Sequence, residues 1–550
     1  MTATTATAAI TTPWNRVRVT GTLTLMTPLT LGDGTTRPGE KNDKGETPQV
    51  ARVARAPDGR ALIPGSSLKG VLSSYLREHN VADGIRETMF GRFAKPRDDA
   101  TGKSSDSGRG GCVEFGFSYS QTTFTAKGMD EAVEQSVAID RVTRTAADRQ
   151  LFAYETVPAG TTFDVELLGF QMTADDLAAL LLALNGFSDA TSPVRLGSGT
   201  SNDNGRAAWQ MAAVQVMTDG EIQNWLSDTA PVADYWTKSA SPNIASLPQV
   251  TRAGRNVLRF DIILRFDGWF LVRDPHASKK KADANESEQK PPDAFPCLND
   301  QEHVVDPARS FRGVFRSQVE RIGRTLNGAA GGDPVRDAVP GLVEALFGYA
   351  GGRTVLQCSE FVDVIPSQNV MNPSKGLPPD VVNGKRRPLF PREFVAIDRF
   401  TGGAAEHLKF ECVAAWQPVL EGFIAIDFAD LQQRCRQVSS HRKGGIPITP
   451  AAALGLLFLT LRDLIEDDLA FGMGAAKGFG QCQGSVSGTL ASGDRPTVEK
   501  LLNAGSAAAT AGSPSATPAD LFSDPWIESL AATCIEAARI WLKSSQGAKS

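Results

Sequence analysis

A chain of 550 residues is too long to close around one ordinary core, so two or three domains are expected. Its composition is 41% hydrophobic and 22% charged, with 52 Gly and 32 Pro, which suits strands, turns and loops better than a helix bundle. A net charge of −5 counts against a body coated with nucleic acid on every side. It leaves room for a basic groove, because phosphates meet only the local field.

No apolar run is long enough to span a bilayer, and Met1–Thr7 lacks the basic-then-apolar signal pattern. Seven cysteines without a CxxC pair suggest reduced, buried thiols, so a cytoplasmic protein is expected. Cys297 and His303 lie near each other, but one Cys and one His fall short of a zinc site.

In chain order, a loose tail is expected over residues 1–12, then a strand from Arg16 to Leu25 that alternates polar and apolar side chains. Gly32–Thr47 reads as a long polar loop. Leu62-Ile63-Pro64-Gly65-Ser66-Ser67-Leu68-Lys69-Gly70 reads as a strand end, a Pro-Gly turn and a helix start. Ser66 or Ser67 could cap that helix, and Lys69 one turn in makes its N-terminus a ready anion site. Beyond it come Met89-Phe90-Gly91, a basic loop near 95–111, Val137–Thr143, Leu151–Glu155 and the strand Thr162–Leu167. An apolar helix, Asp175–Leu184, leads into the glycine loop Gly197–Gly205.

The same order then recurs. The strand Leu258–Leu264 is followed by a polar loop, and Asp306–Arg316 repeats the turn and helix with Arg312 in place of Lys69. Leu346-Phe347-Gly348 answers Met89-Phe90-Gly91, and Val395–Thr401 answers Val137–Thr143 almost letter for letter. The apolar helix Leu454–Leu464 leads into a second glycine loop, Gly472–Gly480. Tandem domains of one fold are therefore expected over residues 13–215 and 256–487. A connector with a short helix would fill 216–255, and a linker with an amphipathic helix 488–550.

The glycine loops do not carry a nucleotide cofactor. Gly34–Lys41 has the Walker glycine spacing, but Glu40 stands where Lys is needed and Pro38 removes an N–H. Gly472-x-Gly474 follows a helix and enters a strand, the reverse of a dinucleotide fingerprint. Two readings remain: a tight connector needing positive φ, or a backbone that comes close to a polyanion beside Arg206 or Lys477. Two instances in matching places favour the second.

Together these residues resemble the RAMP superfamily of CRISPR-associated proteins. The likeness rests on Ile63–Gly70, its copy Ser310–Gly313, both Ala-Ile-Asp-Arg segments (Ala138–Arg141 and Ala396–Arg399) and the two glycine loops, and it spans most of 15–485. It looks most like a two-copy backbone subunit of a type III effector complex, as in type III-D.

The resemblance implies an α+β protein, two tandem ferredoxin-like (RNA-recognition-type) domains with long inserted loops and thumb hairpins. It implies guide RNA (crRNA), target RNA and other CRISPR effector subunits as partners, with no membrane. Ser66, Ser67, Lys69, Gly197, Gly199, Arg206, Arg312, Arg316, Gly474 and Lys477 would hold guide phosphates, and Arg141 and Arg399 would lie in the thumbs. Catalytic members cut target RNA with an Asp and a divalent metal, Mg2+ or Mn2+. Asp293 in Asp293-Ala294-Phe295-Pro296 stands at suitable spacing, as the acid and the metal ligand. In the first repeat that place reads Thr47-Pro48-Gln49-Val50, which leaves Asp33 and Asp43 as substitutes. Asp140 and Asp398 are read as ion-pair partners of Arg141 and Arg399. Two alternatives stay open: a non-catalytic structural subunit, or a metal-independent guide-processing endoribonuclease. The latter would want a His beside a glycine loop, and neither loop has one.

Overall fold

The computed structural model describes residues 13–39, 47, 49–92, 108–124, 133–140, 146–189, 192–229, 231–250, 254–274, 292–299, 301–327, 340–349, 352–367, 381, 383–441, 446–503, 522 and 524–547. Asp43, Arg141 and the expected N-terminal tail lie outside them. The chain forms two compact units. One comprises Met1–Ala138, Asp148–Thr200 and Asn204–Arg255; the other comprises Ile139–Ala147, Ser201–Asp203 and Asn256–Ser550.

The first unit opens with β1 (Trp14–Leu25), whose Val17, Val19, Leu23 and Leu25 are buried on one face, while Arg16, Arg18 and Thr20 are half-buried on the other. β2 (Gly32–Pro38) and β3 (Gln49–Val53) follow as an antiparallel pair. The loop expected from Gly32 is thus a strand over its first half. β2 is polar and almost wholly exposed, so it has no alternation that could mark it.

Next come β4 (Arg60–Ile63), α1 (Gly65–Glu78), α2 (Asp83–Phe90), β5 (Val113–Phe115), β6 (Ser118–Thr123), β7 (Val133–Ile139) and β8 (Ala146–Glu155). β9 (Thr162–Met172), α3 (Ala174–Asn185) and β10 (Ala207–Met217) complete the core. The main sheet runs β10-β1-β9-β6-β4, with β5 also on β9. Taken as β10-β1-β9-β6, it has the antiparallel 4-1-3-2 order of a ferredoxin-like βαββαβ unit. β2-β3-β8-β7 form a separate four-stranded sheet. After β10 the expected single helix is two, α4 (Asp219–Ser227) and α5 (Val232–Lys238), with Pro231 at the N-cap of α5. A capping box at Thr218 starts α4.

The second unit contains β11 (Val257–Phe266), β12 (Trp269–Phe270), β13 (His303–Asp306), α6 (Ala308–Leu326), α7 (Pro340–Phe347), β14 (Gln357–Cys358) and β15 (Phe361–Pro366). The hairpin β16 (Leu389–Ile397) and β17 (Ala404–Trp416) is followed by β18 (Val419–Asp427), α8 (Phe428–His441), α9 (Pro450–Ile465) and β19 (Cys482–Ser492). Its main sheet runs β19-β11-β18-β15-β13, with β14 on β18. Strand for strand this is the order of the first unit's sheet.

The second core is aromatic. Phe311 stacks on Phe361 at 4.0 Å and on Phe471 at 5.2 Å between ring centres. α10 (Arg495–Asn503) precedes α11 (Pro525–Gly547), which lies against α9. Ile527, Leu530, Cys534, Ala538 and Leu542 of α11 are buried. At Gly455 a Cβ would stand 2.1 Å from the Cys534 carbonyl, so glycine is what lets these two helices touch. No helix among the described residues is long and apolar enough to cross a membrane.

Candidate nucleic-acid interface

The two helix starts are built alike. Pro64 and Pro307 are the N-caps of α1 and α6, at φ/ψ −60/139 and −57/140, and neither helix has a side-chain cap bond. The expected cap by Ser66 or Ser67 is therefore not made. The helix begins at Gly65, two residues earlier than a Ser66 cap would place it, so both serines lie inside the first turn, where Ser67 donates its N–H to the Pro64 carbonyl at 2.9 Å. Gly65 is required here because a Cβ would stand 2.0 Å from the Phe115 carbonyl. Ser66 is exposed, and Ser67 and Lys69 are half-buried. The free N–H groups of the first turn remain an anion-attracting end.

The glycine loops match in finer detail. Gly197, Gly199 and Gly205 have φ of 72°, 72° and 74°; Gly472, Gly474 and Gly480, at the same spacing, have 80°, 88° and 76°. Asp203, at φ 64°, stands where Gly478 stands at 78°. The closing bonds correspond as well. Leu196 N donates to Gly205 O and Phe471 N to Gly480 O, both at 2.9 Å, while Ser198 N donates to Thr30 O and Met473 N to Leu271 O, both at 2.8 Å. A Cβ on Gly197 would meet Thr30 O at 2.2 Å, and one on Gly472 would meet Leu271 O at 2.4 Å. The positive-φ connector is thus real in both loops. Close approach of the outer loop backbone by a phosphate is compatible with it.

Around the second loop cations and rings alternate. The Lys477 ammonium, at the exposed crest, stands 3.9 Å from the centre of the Phe394 ring. Arg392, two residues before Phe394 and on the same side of β16, lies 4.6 Å over Trp269, which packs on Trp416 at 4.5 Å. Such a surface offers charge to a backbone and faces to bases. Asp293 belongs to the same neighbourhood. Its Oδ2 accepts the Glu411 N–H of β17 at 2.9 Å, and Ala294 bridges to Cys412. Burial raises the Cys412 thiol pKa, Arg392 and Lys477 oppose that shift, and Asp293 adds to it. Among the described residues no group of three or more His, Cys, Asp or Glu side chains is gathered that could hold a metal ion.

The remaining candidates are dispersed. Asp33, exposed in β2, accepts the Thr35 N–H and hydroxyl, both at 2.7 Å. Burial works against its charge, but these two bonds and Arg52 win, and its pKa is lowered. Arg206 bridges to Arg195, whose Nη1 donates to Thr200 O at 3.0 Å inside the first loop. Arg312 is half-buried and donates to Ser201 O at 3.1 Å and Oγ at 2.9 Å, within the second unit. Burial lowers its pKa. Arg316 donates to Glu320 at 3.2 Å. Arg399 is exposed in the turn between β16 and β17, beside a fully exposed Phe400. Asp398 is not its ion-pair partner: the carboxylate accepts the Phe400 N–H at 2.8 Å and shapes the turn. His303 Nδ1 donates to the Asp363 carbonyl at 2.5 Å.

Three buried acids went unrecognised in the sequence. Glu155 is held by Arg37 at 2.6 Å, by Arg55 at 2.5 Å and by the Val53 N–H at 3.1 Å. Asp363 is gripped by Arg387. Asp306 occupies the position of Ile63, fully buried; burial drives its pKa to about 7, Ser310 opposes the shift and the charge of Glu360 adds to it. The partners of Glu155 and Asp363 come from other elements, and only the Arg392-x-Phe394 alternation beside the second loop had a local signal.

Sheet order, proline-started helices and paired glycine loops define a mixed α+β protein with ferredoxin-like sheets and a cationic, ring-lined surface suited to RNA. In keeping with this, residues 22–206 match a family model described as the RAMP superfamily. No curated protein matches the chain.

Proposed function

We propose that the chain is a guide-RNA-binding backbone subunit of a type III CRISPR effector complex, in a tandem, type III-D-like form whose two units share one ancestral fold. The observation that carries this is the recurrence of one glycine loop, with the same spacing, φ values and closing bonds, at the same place in two sheets of one strand order. The match of the RAMP superfamily to residues 22–206 supports it. Guide phosphates run past the crests of the loops and the starts of α1 and α6, with Lys69 and Lys477 supplying charge. The hairpin β16–β17, with Phe400 bare at its tip, wedges into the guide–target duplex. Guide pairing, not protein side chains, selects the target.

The test is to purify the tagged chain with its complex and sequence the RNA that accompanies it. RNA of uniform guide length supports the proposal; protein free of nucleic acid under low salt refutes it.

Cleavage of target RNA belongs to the second unit in this proposal. Mg2+ or Mn2+ commonly keeps most of its waters and takes one or two carboxylates together with substrate phosphate. Asp293, oriented by the Glu411 amide on the strand next to the one that carries Arg392, fits that minimal requirement. A bound ion would stabilise charge on the phosphate oxygens. Asp293 would hold it, and Lys477 and Arg392 would fix the RNA backbone. The engagement of the Asp293 carboxylate by the Glu411 N–H favours a second reading, a structural subunit with cleavage supplied elsewhere. Asp293→Asn keeps an acceptor for the Glu411 N–H while removing the charge. Loss of cleavage with guide RNA still bound supports catalysis; full cleavage by the Asp33→Asn, Asp43→Asn, Asp293→Asn variant supports the structural role.

A further inference from the structure

The first unit holds a cavity of about 280 Å3 on the outward face of its main sheet, under α5. Its floor is two cross-strand pairs, Arg16 opposite Phe170 and Arg18 opposite Leu168, and its roof is Val232, Ala233 and Trp236. The two arginines differ. Arg18 is neutralised by Glu166, with Nε to Oε1 at 2.8 Å and Nη2 to Oε2 at 3.3 Å. Arg16 makes no ion pair among the described residues; its guanidinium stands 5.6 Å from the Phe170 ring centre and 5.1 Å from that of Trp225. Two rings fix its direction without cancelling its charge.

The cavity therefore combines one oriented guanidinium with no ion pair among the described residues, an indole wall at Trp236 that Arg18 flanks at 6.0 Å, apolar floor at Leu168, and the polar ends of Glu166 and Gln215 that already meet Arg18. A simple anion would use only the first of these. An acidic peptide would leave the indole and the apolar floor unmatched. A planar base with a phosphate attached uses all of them: phosphate on Arg16, base face on Trp236 and Leu168, base edge toward Glu166.

We propose that this cavity binds a nucleoside monophosphate unit, either a free nucleotide or the terminal nucleotide of an RNA. The site lies on the sheet face, apart from the glycine loops, and stands independently of the guide-binding proposal.

Isothermal titration of the full-length chain with AMP, UMP and inorganic phosphate tests it, beside Arg16→Gln and Ala233→Phe. Ala233 is exposed on α5, so the added ring fills the cavity without removing a buried group. One-site nucleotide binding, weakened about tenfold or more in Arg16→Gln and abolished in Ala233→Phe, is expected. Should Arg16→Gln fail to fold, Ala233→Phe carries the test. A 5′-phosphorylated oligouridylate that competes with UMP identifies an RNA end as the source; nucleotide binding without such competition identifies a free nucleotide. No nucleotide binding, phosphate binding as tight as UMP, or nucleotide affinity unchanged in both variants overturns the proposal. RNA binding by the loops would survive any of these results.

Discussion

Arg387 holds Asp363 through two parallel hydrogen bonds, Nε to Oδ2 at 2.7 Å and Nη2 to Oδ1 at 3.0 Å, and the carboxylate is fully buried. Its third donor, Nη1, reaches the Gln417 carbonyl at 2.6 Å, so one side chain ties β15 to the segment between β17 and β18. Removing the arginine strands a buried charge. Arg387→Ala should cost the second unit about 3–5 kcal/mol, read from urea unfolding. Arg387→Lys should recover only part of this, since an ammonium cannot reproduce the fork.

Glu155 should make the first unit sensitive to acid. Burial opposes its charge, yet Arg37, the Val53 N–H and Arg55 outweigh it and the pKa is lowered. A depressed carboxylate contributes stability that is whole above the ordinary glutamate range and is lost as pH falls through the depressed folded value. Thermal unfolding from neutral to acid pH should therefore slope downward more in the parent than in Glu155→Gln. Parallel curves would show that the triad is not what titrates.

Asp306 carries the opposite sign. Its pKa is raised to about 7, so its neutral form belongs to the folded state and stability drains away as pH climbs toward that value. Asp306→Asn should stabilise the second unit in mildly alkaline buffer, with the gain shrinking in mild acid. An equal gain at all pH values would point to packing instead of charge.

The second glycine loop separates two costs. Gly478 has φ 78° with nothing within 4 Å of a built Cβ, so Gly478→Ala should cost only the left-handed backbone, about 1 kcal/mol. At Gly480 a Cβ would stand 1.9 Å from the Phe471 carbonyl, on the residue whose N–H donates to the Gly480 carbonyl to close the loop. Gly480→Ala should be several times worse and should open the loop, visible as faster amide exchange at Phe471.

Lys477 should behave as a phosphate contact. Lys477→Ala is expected to weaken RNA binding about equally for different sequences and to lower the slope of log affinity against log salt by about 1, measured by filter binding. Phe400→Ala should leave that slope unchanged while weakening duplexed RNA more than single strands. Its ring is uncharged and fully exposed.

What was legible in the chain was whatever is written locally and twice. Both proline-started helices, both glycine loops and the alternating strands follow from spacing alone, since φ sign, turn chemistry and face alternation are properties of neighbouring residues. β2 was missed because its side chains are polar and exposed and only backbone pairing makes it a strand. The Ser66 cap is not made because the helix already starts at Gly65, a position that packs against the Phe115 carbonyl on another strand and so leaves no local sign of where the first turn begins. Asp306 has the sequence context of a turn, yet it lies sealed in the core. The cavity under α5 could not be foreseen at all, because Arg16, Glu166, Phe170 and Trp236 are joined only by sheet register and helix packing.

The close seat of Cys534 on Gly455 has a consequence for how the molecule is made. α9 is buried along nearly its whole length, and part of its cover is α11, which is read out only after the Ala/Ser/Thr/Pro-rich stretch. A ribosome moving along the message releases every strand of the second sheet before it releases that cover. During this interval the first unit can already be native, while an oily helix in the second waits for its partner and is open to chaperones. A stop codon placed before Pro525 should consequently yield a protein whose first unit is sound and whose second aggregates.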